Sequence, residues 1–259
     1  MTVEVLVATM HQNDFSILDK MNISTNALVG NQCDHNEVVH LTYNNRSVTF
    51  YSFSERGVGL NRNNTLMRSN ADICIFADDD MIFYDDYEKT IQKAFDENPD
   101  ADVLCLNIDD EPKIRPVNKG VHRVRWYNYG RYGAARIAIR REPIIKNGVF
   151  FNLSFGGGTT YSQGEDTLFL FECIQKGLHV YAVPVTIAKL IECRESTWFK
   201  GYSEKFFFDK GVYYGCLHFP LSWLLGLRYC IKYRNRYKNM FSWMHAYRQL
   251  RQGMKSVKH

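Results

Sequence analysis

The sequence predicts an α/β chain built around a mostly parallel twisted sheet, followed by a basic helical extension. Three observations carry this. Short β-branched apolar runs alternate with helical segments, the pattern of parallel strands linked by crossover helices. One apolar run, Ile73–Ala77, ends directly in three aspartates. And the charge changes character at residue 210: ten Lys/Arg and no Asp or Glu follow, so the first 209 residues hold 22 of the 32 basic and all 28 acidic side chains, a net of −6.

The elements follow in order. Val3–Ala8 reads as a buried strand and Phe15–Lys20 as a short helix. Asn26–Gly30 and Ser47–Phe53 are the next strands, the latter alternating at Val48, Phe50 and Ser52. Gly57–Asn70 is a helix opened by a glycine turn. Asp72–Ala77 is a strand, Asp85–Asn98 an amphipathic helix stopped by Pro99, and Val103–Ile108 another strand. Residues 113–146 carry ten Lys/Arg and one acid, with Val124, Trp126, Ile137 and Ile139 suggesting twisted strands. Phe155–Gln163 is a Gly/Thr loop, Glu165–Lys176 a helix closed by Gly177, and Val180–Lys189 the last strand. No internal repeat is found. The division expected is a domain over 1–209 and a basic, aromatic helical extension over 210–259.

At 259 residues and 45% hydrophobic composition, the chain can bury a core without disulfides, and a disordered or fibrous chain is excluded. Seven cysteines are scattered with no Cys-x-x-Cys pair, which excludes a zinc knuckle or dithiol motif. Together with an N-terminus that reads as a strand rather than a leader, this gives a reducing, cytoplasmic setting as the expectation. The longest apolar run near the C-terminus, Phe219–Leu227, is about half of the ~20 residues a membrane span needs.

Asp78, Asp79 and Asp80 stand where open α/β sheets bind ligands, beyond the carboxyl end of a strand. A solvated acidic turn accounts for them. So does a hard divalent cation, Mn²⁺ or Mg²⁺, held by one or two carboxylates and completed by substrate phosphates. Upstream lies Glu55-Arg56-Gly57-Val58-Gly59-Leu60-Asn61-Arg62. Glycine turn, helix opening with Arg-Asn (Arg62-Asn63), strand and Asp-x-Asp, in that order, resemble the inverting family-two glycosyltransferases of the GT-A fold. The resemblance covers roughly residues 3–190.

It implies a GT-A nucleotide-binding domain and a nucleotide-sugar donor, with a UDP-sugar foremost. It also implies that Thr9, Asn31, Arg62, Asp78 and Asp79 contact the donor, Asp78 near its ribose, and that Asp80 binds the metal. Gly164-Glu165-Asp166 opens the later helix. Acids there complement the helix dipole. By the resemblance, Asp166 is instead the general base, and Glu165, Gly157 and Gly158 meet the acceptor. The chain departs from the family after the second strand. Where an Asp-Asp-Gly-Ser-like stretch reads uracil, it has Val29-Gly30-Asn31-Gln32-Cys33-Asp34, so Asn31 or Asp34 would take that task.

Arginines at 123, 125, 136 and 140 fit either solvated strand faces or a phosphate of a lipid-linked acceptor. The interleaved aromatic and basic tail fits an interfacial helix on an anionic membrane at the inner face of the cell membrane, or amphipathic helices packed on the main domain. No nucleic-acid recognition motif is present. The expected function is metal-dependent inverting sugar transfer to a glycan or lipid-linked acceptor in surface polysaccharide synthesis. A nucleotidyltransferase is the rival enzyme, but Thr9–Asn13 lacks the Lys/Arg-rich phosphate loop it would need. The non-enzyme alternative is a membrane-peripheral binding protein with a degenerate site.

Overall fold

The computed structural model describes residues 1–110, 116–191 and 201–257. Cys193 and the first three residues of the basic segment, 113–115, lie outside these. The strands are β1 (Val3–Met10), β2 (Asn26–Gln32), β3 (Glu37–Tyr43), β4 (Arg46–Phe53), β5 (Ile73–Asp78), β6 (Met81–Phe83), β7 (Val103–Asp109), β8 (His122–Arg123), β9 (Ile137–Arg140) and β10 (Val180–Leu190). They join one ten-stranded sheet in the order β3-β4-β2-β1-β5-β9-β7-β10-β6, with β8 on β10. Six strands, β4, β2, β1, β5, β7 and β10, run in one direction. β9 is inserted antiparallel between β5 and β7.

The helices are α1 (Ile17–Lys20), α2 (Val58–Arg68), α3 (Tyr87–Glu97), α4 (Arg141–Lys146), α5 (Glu165–Gln175), α6 (Glu204–Cys216), α7 (Ser222–Tyr233) and α8 (Trp243–Ser256). Because side chains alternate along β5, Ile73, Ile75 and Ala77 enter one core with Tyr87, Ile91 and Phe95 of α3. Cys74 and Phe76 enter the other, with Leu66 of α2, Phe169 of α5 and the C-terminal helices.

The expected strands and helices are present; β6 is an addition, and α4 stands where the segment 113–146 was expected to form twisted strands. The hairpin partner of the third strand, β3, is unforeseen, although Asn44 and Asn45 (φ 48° and 61°) supply the two left-handed residues a tight hairpin needs. Around Val124 and Trp126 only His122–Arg123 is strand. Asn128 folds back, its Oδ1 accepting from Arg125 N at 2.7 Å, and a 3₁₀ turn follows. Arg136 and Arg140 are not free to bind an acceptor phosphate. The buried Arg136 donates to the carbonyls of Leu106 and Pro116, and Arg140 to those of Ala101 and Phe95.

The C-terminal helices are packed into the body. Phe207, Tyr213, Cys230, Tyr237, Ala246 and Leu250 belong to the same core as Phe76. Gly211 of α6 lies against the Leu250 backbone, and Gly253 of α8 against the Phe208 carbonyl, so the two helices touch through their backbones. The expected boundary at 209/210 falls inside α6. Among the described residues no helix is long and apolar enough to cross a membrane.

Candidate active site

The chain leaves β1 toward β2 and returns to β5 on β1's other side. The carboxyl ends of these strands therefore border the crevice where such sheets take ligands. Thr9, Asn31 and Asp78 stand at those ends, Thr9 level with Asn31 and Ala8 level with Asp78.

α2 is held over this edge by polar staples. Asn61 Nδ2 donates to the Gly30 carbonyl at 2.7 Å, and Asn63 exchanges two 2.8 Å bonds with the Phe151 backbone. Arg62 between them is forced inward, its side chain 5% exposed. Its Nη2 donates to Asp78 Oδ1 at 2.6 Å and its Nη1 to Glu165 Oε1 at 3.3 Å, and the guanidinium lies 5.4 Å from the Phe151 ring centre. Its Nε is buried without a hydrogen-bond partner among the described residues. Burial would lower the Arg62 pKa. The carboxylates of Asp78 and Glu165, with Asp166 further off, outweigh it and raise the pKa. Arg62 does point into the crevice, but its terminal nitrogens bridge two carboxylates there.

Asp79 Oδ2 accepts from Thr9 Oγ1 at 2.7 Å, and Thr9 accepts in turn from Gln12 Nε2 at 2.9 Å. Asn31 is 2% exposed. Its amide ties the Gln12 backbone in both directions at 3.0 Å and reaches Ser52 at 3.3 Å. Thr9 and Asn31 thus shape the turn after β1 from beneath rather than presenting polar atoms to solvent. The Asp80 backbone carbonyl accepts from Ile191 N at 2.7 Å. With Asp78 turned to Arg62 and Asp79 to Thr9, the triplet forms no closed three-carboxylate cage. This all-oxygen donor set fits a hard cation that shares one or two carboxylates with a diphosphate.

On the other side, α5 opens after Gly164, whose φ of +117° and Tyr213 packing leave no room for a Cβ. Glu165 and Asp166 follow as its first turn. Glu165 is pushed up to about 7 by burial and by Asp166, against the pull of Arg62. Burial likewise raises Asp166, with Arg62 opposing. In the glycine-rich loop, Gly157 has open space beside its Cα, and the neighbouring glycines pack against the protein. The Gly157 carbonyl accepts from Val58 N at 3.0 Å, Gly158 abuts Gly57, and at Gly156 a Cβ would stand 2.9 Å from Glu165 Oε2.

Lys210 of α6 was not foreseen as part of the site. Its ammonium lies 4.7, 5.3 and 5.8 Å from the ring centres of Tyr213, Tyr229 and Tyr214, a cage of π-faces. Tyr213 is fixed by a 2.8 Å hydroxyl contact with Tyr129. Burial lowers the Lys210 pKa to about 8, and the negative charge of Asp166 resists the fall. A charge heading a long acid-free stretch is the only sign of it in the sequence. Its convergence with Asp166 is tertiary. A buried carboxylate of raised pKa beside a cation is suited to accepting a proton.

No protein-family model and no curated protein sequence matches the chain. Solved structures do. S. aureus TarS 1–349 in complex with UDP-GlcNAc matches with a TM-score of 0.61 at 16% identity, covering 93% of this chain and 73% of that one. The chain has the GT-A fold. The complex of TarS 1–349 with UDP gives 0.58 at 15% identity. A longer TarS structure gives 0.59 at 17%, and this chain spans 44% of its length.

Proposed function

We propose that the protein is a metal-dependent inverting glycosyltransferase. It moves a sugar from a nucleoside-diphosphate donor, a UDP-sugar, to a hydroxyl of a glycan or lipid-linked acceptor in surface polysaccharide synthesis. The observation that carries this reading is the Arg62 bridge, which draws the strand-end aspartates and the Glu165–Asp166 pair into one crevice. The likeness to a TarS structure holding UDP-GlcNAc supports the donor class.

In this reading Asp78 faces the donor ribose. Asp80, with its neighbouring carboxylates, would hold Mn²⁺ or Mg²⁺. When bound, that ion neutralises charge on the departing diphosphate. Asp166 takes the proton of the acceptor hydroxyl. The hydroxyl oxygen bonds to the anomeric carbon from the face opposite the diphosphate, and the carbon–oxygen bond to the diphosphate breaks with inversion. Arg62 keeps Glu165 paired while Asp166 works, and Lys210 supports the ionised base.

Nucleotide-sugar turnover with Mn²⁺, screened across donors, tests the reading alongside calorimetry of UDP with the Asp80→Ala variant. Donor turnover by the wild type and loss of metal-dependent UDP affinity in the variant are expected. No turnover of any nucleotide sugar, or unchanged metal-dependent affinity, overturns it.

A further inference from the structure

α7 has two faces of opposite character. Ser222, Gly226 and Cys230, spaced by four, are buried, and Gly226 meets Leu250 of α8. The other face is open. Leu224, Leu227, Arg228, Ile231 and Lys232 line a shallow groove along it, with Leu224 and Ile231 41% and 43% exposed. Leu221, Trp223, Met240, Trp243 and Met244 are exposed in the same stretch. Of the 19 large hydrophobic residues exposed among the described residues, seven fall between 221 and 244, a density a solvated surface does not need. Arg228, Lys232, Arg234, Arg236 and Lys238 are exposed among them.

The charge selects the occupant. No Asp or Glu occurs after Asp209. A second copy docked face to face would set the same five cations against themselves, so self-association is disfavoured. An anionic lipid surface complements both components, taking the side chains of Leu224 and Ile231 at the acyl boundary and the basic groups at the headgroups. The first 209 residues are net acidic, and α7 is where exposed apolar and basic side chains coincide most densely, which favours it as the side that faces the surface. We infer that α7, held in place by α6 and α8, lies in the plane of an anionic bilayer through its Leu224–Leu227–Ile231 face. Packing on the body and membrane contact are thus two faces of one helix rather than alternatives, and neither depends on the reaction proposed above.

Co-sedimentation of the full chain with phosphatidylglycerol/phosphatidylcholine vesicles tests it, against pure phosphatidylcholine and against a double variant, Leu224→Glu with Ile231→Glu. Both positions are exposed, so a thermal melt of the variant should match wild type. Expected are binding to anionic vesicles only, a fall of at least tenfold at high salt, and a loss of at least tenfold in the variant. Absence of wild-type binding at low salt overturns the inference. So does a folded variant that binds as well as wild type, or a concentration-dependent dimer that the same substitutions abolish.

Discussion

Asp78–Asp80 and Glu165–Asp166 border one crevice but sit in different settings. The first group ends a strand. Asp78 keeps 39% of its side chain exposed, and Asp79 is steadied from below by Thr9. The second begins a helix under Tyr213 and the glycine-rich loop, and burial drives both of its pKa values up. The comparison teaches that placement divides the work: oxygens open to solvent can share a cation with a diphosphate, whereas buried ones hold and release a proton.

The sharpest way to break that division is Asp166→Asn. Shape is kept and basicity removed, so turnover should fall by roughly 10²-fold or more while UDP affinity stays near wild type. Calorimetry beside steady-state rates checks this. A variant that loses UDP affinity as Asp80→Ala is expected to do would merge the two clusters into one.

The second cluster also leans on the C-terminal helices through Lys210 and Tyr213. Leu250 packs against Gly211, next to Lys210, and against Gly226. Leu250→Ala should cost about 2–5 kcal/mol in unfolding free energy, measured by urea denaturation, and should lower turnover more than UDP affinity.

The acidic limb of the pH–rate profile sharpens the comparison further. A carboxyl raised to about 7 holds its proton below that pH and loses it above. The Glu165–Asp166 pair is therefore fully ionised only on the alkaline side of neutrality, and turnover should rise through pH 7. Glu165→Gln removes the like charge and should move this limb to lower pH. Lys210→Met removes a cation that favours ionised Asp166 and should move the limb up. It should also abolish any decline above about pH 8, where Lys210 loses its own proton. A profile unchanged by both substitutions would detach these groups from the base.

Much of the frame was legible in the sequence because central parallel strands read as uninterrupted apolar runs, as Val3–Ala8 and Ile73–Ala77 do. The antiparallel members were harder to read. β3 is half polar and exposed, β6 has three residues, and nothing local says that Ile137–Arg140 slots between two earlier strands. In the site, the aspartates after β5 and the acids opening α5 stood out as charges where periodicity ends. The Arg62 bridge spans 103 residues of sequence, and the tyrosine cage of Lys210 draws on two helices. The bridge has no local signature, and of the cage only Tyr213 and Tyr214, three and four residues after Lys210, are local to it. Gly157 and Gly158 were expected to meet the acceptor; Gly158 lies against Gly57, whereas the space beside Gly157 is open.

The position of β9 also orders the events of synthesis. β1 to β5 can pair as soon as residue 78 has left the ribosome, leaving β5 as the sheet's edge. Ile73, Cys74 and Ile75 there await Arg140, Ile139 and Ala138. Until β9 emerges, the nascent chain carries a bare apolar strand border, the kind of template on which chains pair with one another. A pause that leaves residue 78 outside the ribosome and β9 still inside would prolong that hazard, and a pause once β9 has emerged would not.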